Sequence, residues 1–150
     1  MSTDLVRFIA GLSNRWRSRF SPSRPAHLRL GHRGETLACR FLRRNGYKVL
    51  YRNFRGRTGG EIDIVCRDND TLVFVEVKTR TREDFGRPFA AVDRDKQKRI
   101  ARGGLAWLRL LDNPDIFFRF DVVEVVIAEG SRPRFELLRN AFALPEPYIY

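Results

Sequence analysis

Cysteine is scarce: Cys39 and Cys66 are the only two in 150 residues, and neither has a Cys-x-x-Cys partner or a histidine-rich neighbourhood. That excludes a disulfide-stapled scaffold and a zinc ribbon, and leaves two reduced thiols in or near the core. Histidine is equally rare. His27 and His32 have no partner at metal-ligand spacing and are expected at the surface. No uncharged apolar run approaches the roughly 18 residues that span a bilayer. Arg7 interrupts the first apolar segment after two residues, so a secretory signal is not expected and the reading is cytoplasmic. There is no internal repeat and no low-complexity tract.

Acidic charge is also short. Twenty-nine Lys and Arg face 18 Asp and Glu, a formal net charge of +11 and a pI near 10.7. Such a balance points to a polyanionic partner, either nucleic acid or an acidic membrane. The excess is uneven, however. Residues 1–33 hold seven arginines against Asp4 alone, a net of +6, so the other residues carry only +5.

What is present is enough for a folded domain. With 43% hydrophobic and 12% aromatic residues the chain can build a core, and at this length folding needs neither disulfide nor metal. Two parts are expected: a basic amphipathic extension over 1–29 and a compact domain over 30–150. Leu5, Phe8, Ile9, Leu12, Trp16 and Phe20 follow helical spacing. Ser21-Pro22-Ser23-Arg24-Pro25 then reads as a linker. The extension could dock its apolar face on the domain, lie on a membrane, act as a transit peptide or serve as an arm for nucleic acid; docking on the domain is the simplest of these.

From Gly31 the spacing predicts a helix over about 32–45, stopped by Asn45-Gly46. Strands are expected at Tyr47 to Asn53, Glu61 to Arg67 and Leu72 to Lys78, then a helix near 93–111, a strand about 117–128 and a short one at 134–138. The order αβββαβ(β) indicates an α/β fold with a mixed central sheet flanked by helices. Trp16 and Trp107 lie on apolar stripes and read as packing residues. Asp121, beside Arg119, reads as an ion pair or a supporting contact.

The informative feature is charge inside two apolar strands. Asn69-Asp70 reads as a two-residue hairpin loop, so that paired residues sum to 139. Asp63 then lies opposite Glu76, and Glu61 opposite Lys78, with all four projecting from one face. Two carboxylates so placed repel each other, and burial drives each toward its protonated form unless a cation intervenes. Lys78 supplies one charge but is offset by Glu61. A divalent ion held by Asp63, Glu76, a backbone carbonyl and waters would settle the site, and Mg²⁺ (or Mn²⁺) suits such oxygen ligands. The competing reading is an idle salt-bridge cluster at an exposed hairpin end. Lys96 could contact a phosphate or, with Arg94, Lys98, Arg99 and Arg102, form a solvated basic face.

At these residues the sequence resembles the PD-(D/E)XK nuclease superfamily, with its restriction-endonuclease-like αβββαβ core. Within it the chain is similar to the YraN-like family of uncharacterised proteins predicted to be endonucleases, themselves similar to archaeal Holliday-junction resolvases. The matching stretches are Gly31-His32-Arg33-Gly34-Glu35, taken as opening the first helix, Gly60-Glu61-Ile62-Asp63 and Phe74-Val75-Glu76-Val77-Lys78. Phe85-Gly86-Arg87-Pro88 with Lys96, and Arg119-Phe120-Asp121-Val122-Val123, also fit, so coverage runs from about 30 to 142.

The resemblance implies a metal-dependent endonuclease acting on DNA, including branched or structured DNA. Asp63 and Glu76 would ligate the metal, Lys78 would orient and polarise the attacking water, and Glu35 would be a further acidic ligand. Glu35 also has a local explanation, since an acid in a helix's first turn complements the dipole. The superfamily's Pro-Asp dipeptide is missing, because Ile62 precedes Asp63, but no ligand is lost. Lys96, Arg80, Arg82, Arg87 and Arg99 are the expected nucleic-acid contacts. A homodimer is what resolvase-like action on symmetric junctions would require. The alternative is a binding module that keeps the nuclease fold but does not cleave.

Overall fold

The computed structural model describes residues 25–57, 59–81, 92–148 and 150. The extension and linker up to residue 24 lie outside the described residues, as do Arg82 and Arg87. The elements run α1 (Ala26–Arg44), β1 (Lys48–Arg55), β2 (Glu61–Asp68), β3 (Thr71–Arg80), α2 (Arg94–Leu110), β4 (Phe118–Val126) and β5 (Arg134–Phe142). The strands form one sheet in the order β1-β2-β3-β4-β5. Only β3 and β4 are parallel, joined across the sheet by α2, and every other neighbouring pair is antiparallel. This mixed sheet between two helices is consistent with the restriction-endonuclease-like core expected from the sequence.

Alternation along the strands divides the core between two faces. On one face Ala38, Cys39 and Leu42 of α1 pack on Ile64, Cys66, Val73, Val75, Val123 and Val125. On the other, Ile100, Leu105, Trp107 and Leu108 of α2 pack on Ile62, Phe74, Phe120 and Val122. Trp107 is fully buried, with its ring edge-on to Phe54 at 5.1 Å, so it is the packing residue its spacing suggested. Both cysteines are buried and free, and burial pushes both thiols up, away from reactivity.

Two glycine contacts set how closely the helices approach. A Cβ on Gly34 of α1 would fall 1.9 Å from Thr79 Oγ1 of β3. A Cβ on Gly60 would fall 2.1 Å from the Gly103 nitrogen, so α2 touches the start of β2 backbone to backbone. Gly103 is a poor helix former by itself. Its place in α2 is explained by this contact, not by propensity.

The first helix begins earlier than expected, at Ala26 behind Pro25, and runs through Gly31. Glycine's local cost in a helix is small beside an apolar stripe that continues back to Leu30. One inference falls as a result. Glu35 is not in the first turn, which holds no acid at all, so the helix dipole does not explain it. The motif from Gly31 to Glu35 lies within the helix and does not open it.

Candidate functional site

The turn at Asn69-Asp70 has two residues, with Asn69 at φ 51°, and the ladder runs from Asp68↔Thr71 to Ile64↔Val75. Those rungs sum to 139, the register derived from the sequence. The ladder ends at Ile64↔Val75, so the expected pairings of Asp63 with Glu76 and of Glu61 with Lys78 are not rungs of it. Beyond that rung the Val77 amide donates to Asp63 Oδ2 at 2.8 Å, so a carboxylate takes a strand amide hydrogen.

Asp63 and Glu76 interact directly, each entering the titration of the other. Burial is the largest influence on both. It raises Asp63 above the ordinary carboxylate range against the opposing Val77 amide and Lys96. Burial and then the Asp63 charge push Glu76 up to about 8. With its side chain 9% exposed, Glu76 keeps one oxygen, Oε2, buried with no hydrogen-bond donor. Both shifts run the same way, so each carboxyl holds its proton to higher pH than a solvated acid, as two close carboxyls in a desolvated site do.

A cation from α2 meets this pair. Lys96 Nζ lies 2.8 Å from Glu61 Oε1 and 3.2 Å from Glu76 Oε1. Arg99 adds a longer contact, 3.5 Å, to the same Glu61 oxygen. Lys96 is thus no member of a solvated basic face: its side chain is 23% exposed and spans two strands. Burial draws its pKa down, but Glu76, Glu61 and Asp63 together outweigh that and hold it up. The hydrogen bond from Lys96 is the main reason Glu61 sits below the usual carboxylate range. Asp93 caps α2 by accepting from the Lys96 amide at 2.9 Å, which fixes the turn that carries the ammonium. A lysine so near a helix N-terminus opposes the dipole, and the facing carboxylates offset this.

Glu35 approaches from the other face of the sheet. Its Oε2 is buried without a hydrogen bond, 3.8 Å from the Arg52 guanidinium and 3.6 Å from His32 Nδ1. It is near enough to contribute to raising the Asp63 pKa. Among the described residues, however, no three acidic, histidine or cysteine side chains converge as a ready metal cage. Glu35 is therefore not gathered with Asp63 and Glu76 into one three-carboxylate set.

The remaining sequence-derived candidates divide as follows. Lys78, in β3 two residues beyond Glu76, makes contacts of its own. Arg80 is paired with Glu124, so its charge is met within the sheet. Arg99 is half exposed and reaches the edge of the acidic cluster. Asp121 is fully buried in an ion pair with Arg119, 2.9 Å from Nε to Oδ1, and also accepts from Tyr47 and the Asn140 amide. Its expected role as an ion pair holds. Sequence reasoning missed Lys96 as the partner of the acids. The available signal was a lysine three residues after an Asp cap, at the wrong end of the dipole.

The profile of the uncharacterised protein family UPF0102 matches residues 34–125, which include every element from most of α1 to the end of β4. A UPF0102 protein of Geobacter metallireducens is 50% identical over 115 residues, covering 77% of this chain and 93% of that protein. One from Geobacter sulfurreducens is also 50% identical over 115 residues, covering 77% and 89%. A UPF0102 protein of Nocardia farcinica is 47% identical over 113 residues, covering 75% and 88%.

Proposed function

The chain belongs to the uncharacterised protein family UPF0102, and we propose that it is a metal-dependent endonuclease that hydrolyses phosphodiester bonds in DNA, branched or structured DNA included. The observation that carries this reading is the pairing of Asp63 with Glu76: two desolvated carboxyls forced together, one with a buried oxygen that no donor satisfies. Keeping such a pair so poorly solvated is costly unless it has a ligand. The donor set is all oxygen, which fits Mg²⁺ or Mn²⁺. Two carboxylates completed by a backbone carbonyl and waters are enough for an ion that keeps much of its own hydration.

Asp63 and Glu76 would hold the ion, and the Val77 amide fixes the Asp63 rotamer for that task. When bound, the ion would lower the pKa of a water and offset the charge that builds on phosphorus oxygens. Lys78, two residues beyond Glu76 on the same strand, would orient that water. Lys96 and Arg99, at the start of α2, would supply positive charge to an approaching phosphate. Glu35 adds negative charge next to Asp63 and would act through water.

The test is cleavage of a panel of duplex, flap and four-way-junction DNA with and without Mg²⁺, run beside Asp63→Ala and Lys78→Ala. Ion-dependent cutting lost in both variants supports the reading. A protein that binds every substrate and cuts none is instead a binding module with the nuclease fold. One contact favours that second reading: the Lys96 ammonium already gives the acids a countercharge.

A further inference from the structure

Helix α1 packs one face on the sheet and turns another to solvent. On the outer face stand Arg29, Arg33, Arg40, Arg43 and Arg44, all exposed. At 3.6 residues per turn these five positions fall within an arc of about 100°, and at 1.5 Å per residue they run about 22 Å along the axis. Glu35, the helix's one acid, is turned away toward Arg52. Among the described residues none of the five arginines has an ion-pair or hydrogen-bond partner through its side chain.

A solvated helix face usually interleaves charges of both signs, because like charges four apart disfavour the helix. Here Arg29 and Arg33, and again Arg40 and Arg44, are four apart with the same sign. Arg43 and Arg44 complement the dipole from the last turn, but Arg29, Arg33 and Arg40 have no such account. Residues 1–24 do not neutralise the stripe, since they contain five arginines and one aspartate. The residue type also matters, because the guanidinium fork matches phosphate oxygens two at a time. A lipid surface would require apolar side chains beside the cations. The apolar residues of α1 are committed to the sheet, apart from Ala26 and Leu28 in its first turn.

We propose that the outer face of α1 docks along the phosphodiester backbone of double-stranded nucleic acid, on the element that also carries Glu35 toward the acidic pair. The inference takes its ligand class from the reading above and does not depend on cleavage. The test uses the full chain in EDTA, with anisotropy of a fluorescein-labelled DNA duplex measured across a salt series. Arg33→Ala/Arg40→Ala is expected to weaken binding about tenfold or more and to lower the salt slope by about two. The reference double variant, Arg109→Ala/Arg132→Ala, changes net charge equally on other exposed positions and is expected to bind like wild type. Circular dichroism and thermal melts establish that both variants are folded.

Equal losses in the two variants would overturn the proposal, because net charge alone would explain them. So would an unchanged affinity in Arg33→Ala/Arg40→Ala, or a wild type that sediments with phosphatidylserine vesicles but leaves the duplex unbound. A selective defect in a protein that cuts nothing would retain the docking face and remove the nuclease reading. Cutting without a selective defect would do the reverse.

Discussion

Lys96 of α2 and Glu76 of β3 face each other across the layer boundary, ammonium to carboxylate at 3.2 Å, although they are twenty positions apart in sequence. The contact closes the acidic cluster from the side opposite Glu35. It also makes Lys96 a tethered cation at the position where a divalent ion would be drawn.

Removing that charge should strengthen divalent binding. In Lys96→Met the site loses one positive charge, and Mn²⁺ affinity measured by titration calorimetry is expected to rise by about tenfold, equivalent to about 1.4 kcal/mol. Weaker binding would show instead that Lys96 positions Glu76 as a ligand. Asp63→Asn, which removes a proposed ligand, should abolish the heat of binding in either background.

The raised Glu76 pKa sets a sign for stability against pH. Between about 4.5, where the carboxyl titrates in the unfolded chain, and about 8, the folded protein binds a proton that the unfolded chain releases. The Glu76 contribution is fully present below the lower value, is lost as pH rises toward the upper one and is level beyond it. Metal-free protein should therefore melt at progressively lower temperature across that window relative to Glu76→Gln. Saturating Mg²⁺ should flatten the difference, since the ion replaces the proton.

The backbone contact between Gly60 and Gly103 leaves no space for a methyl group. Gly60→Ala must push α2 away from β2 and carry Lys96 from Glu61. A loss of about 1–3 kcal/mol is expected by urea denaturation, the range typical of overpacking. Near-wild-type stability would mean that the layers slide without cost.

The Arg119–Asp121 pair stands on the α1 side of the sheet, where Asp121 is level with Val75 and bonded to Tyr47, and has no part in the proposed chemistry. Arg119→Met leaves the fully buried Asp121 carboxylate without its guanidinium and also breaks the 2.7 Å contact of Arg119 with the part-exposed Asp68. A destabilisation of about 3–5 kcal/mol is expected from thermal or chemical melts. Mn²⁺ affinity of the folded variant should stay unchanged.

Strand register was legible in the sequence because a two-residue turn and period-two alternation leave little freedom. Asn69-Asp70 fixed the pairing as far as Ile64↔Val75, and Asp63 and Glu76 are the next residues on the two strands beyond that last rung. The start of α1 was not legible. Gly31 resembles a helix boundary locally, while the packing that carries the helix back to Ala26 comes from the sheet. Arg80 looked like a free cation, but Glu124 lies on a neighbouring strand that no local pattern could place beside it.

By itself the sequence determined the α/β order, the hairpin and the pair of acids, all of which follow from contacts between residues close along the chain. The tertiary structure brought Lys96 to those acids. Lys78 is near Glu76 along the strand, whereas Lys96 arrives only because α2 crosses back over the sheet and two glycines let it come close. A crossover brings together residues whose local patterns carry no information about one another, and the charge balance of a buried site is set there.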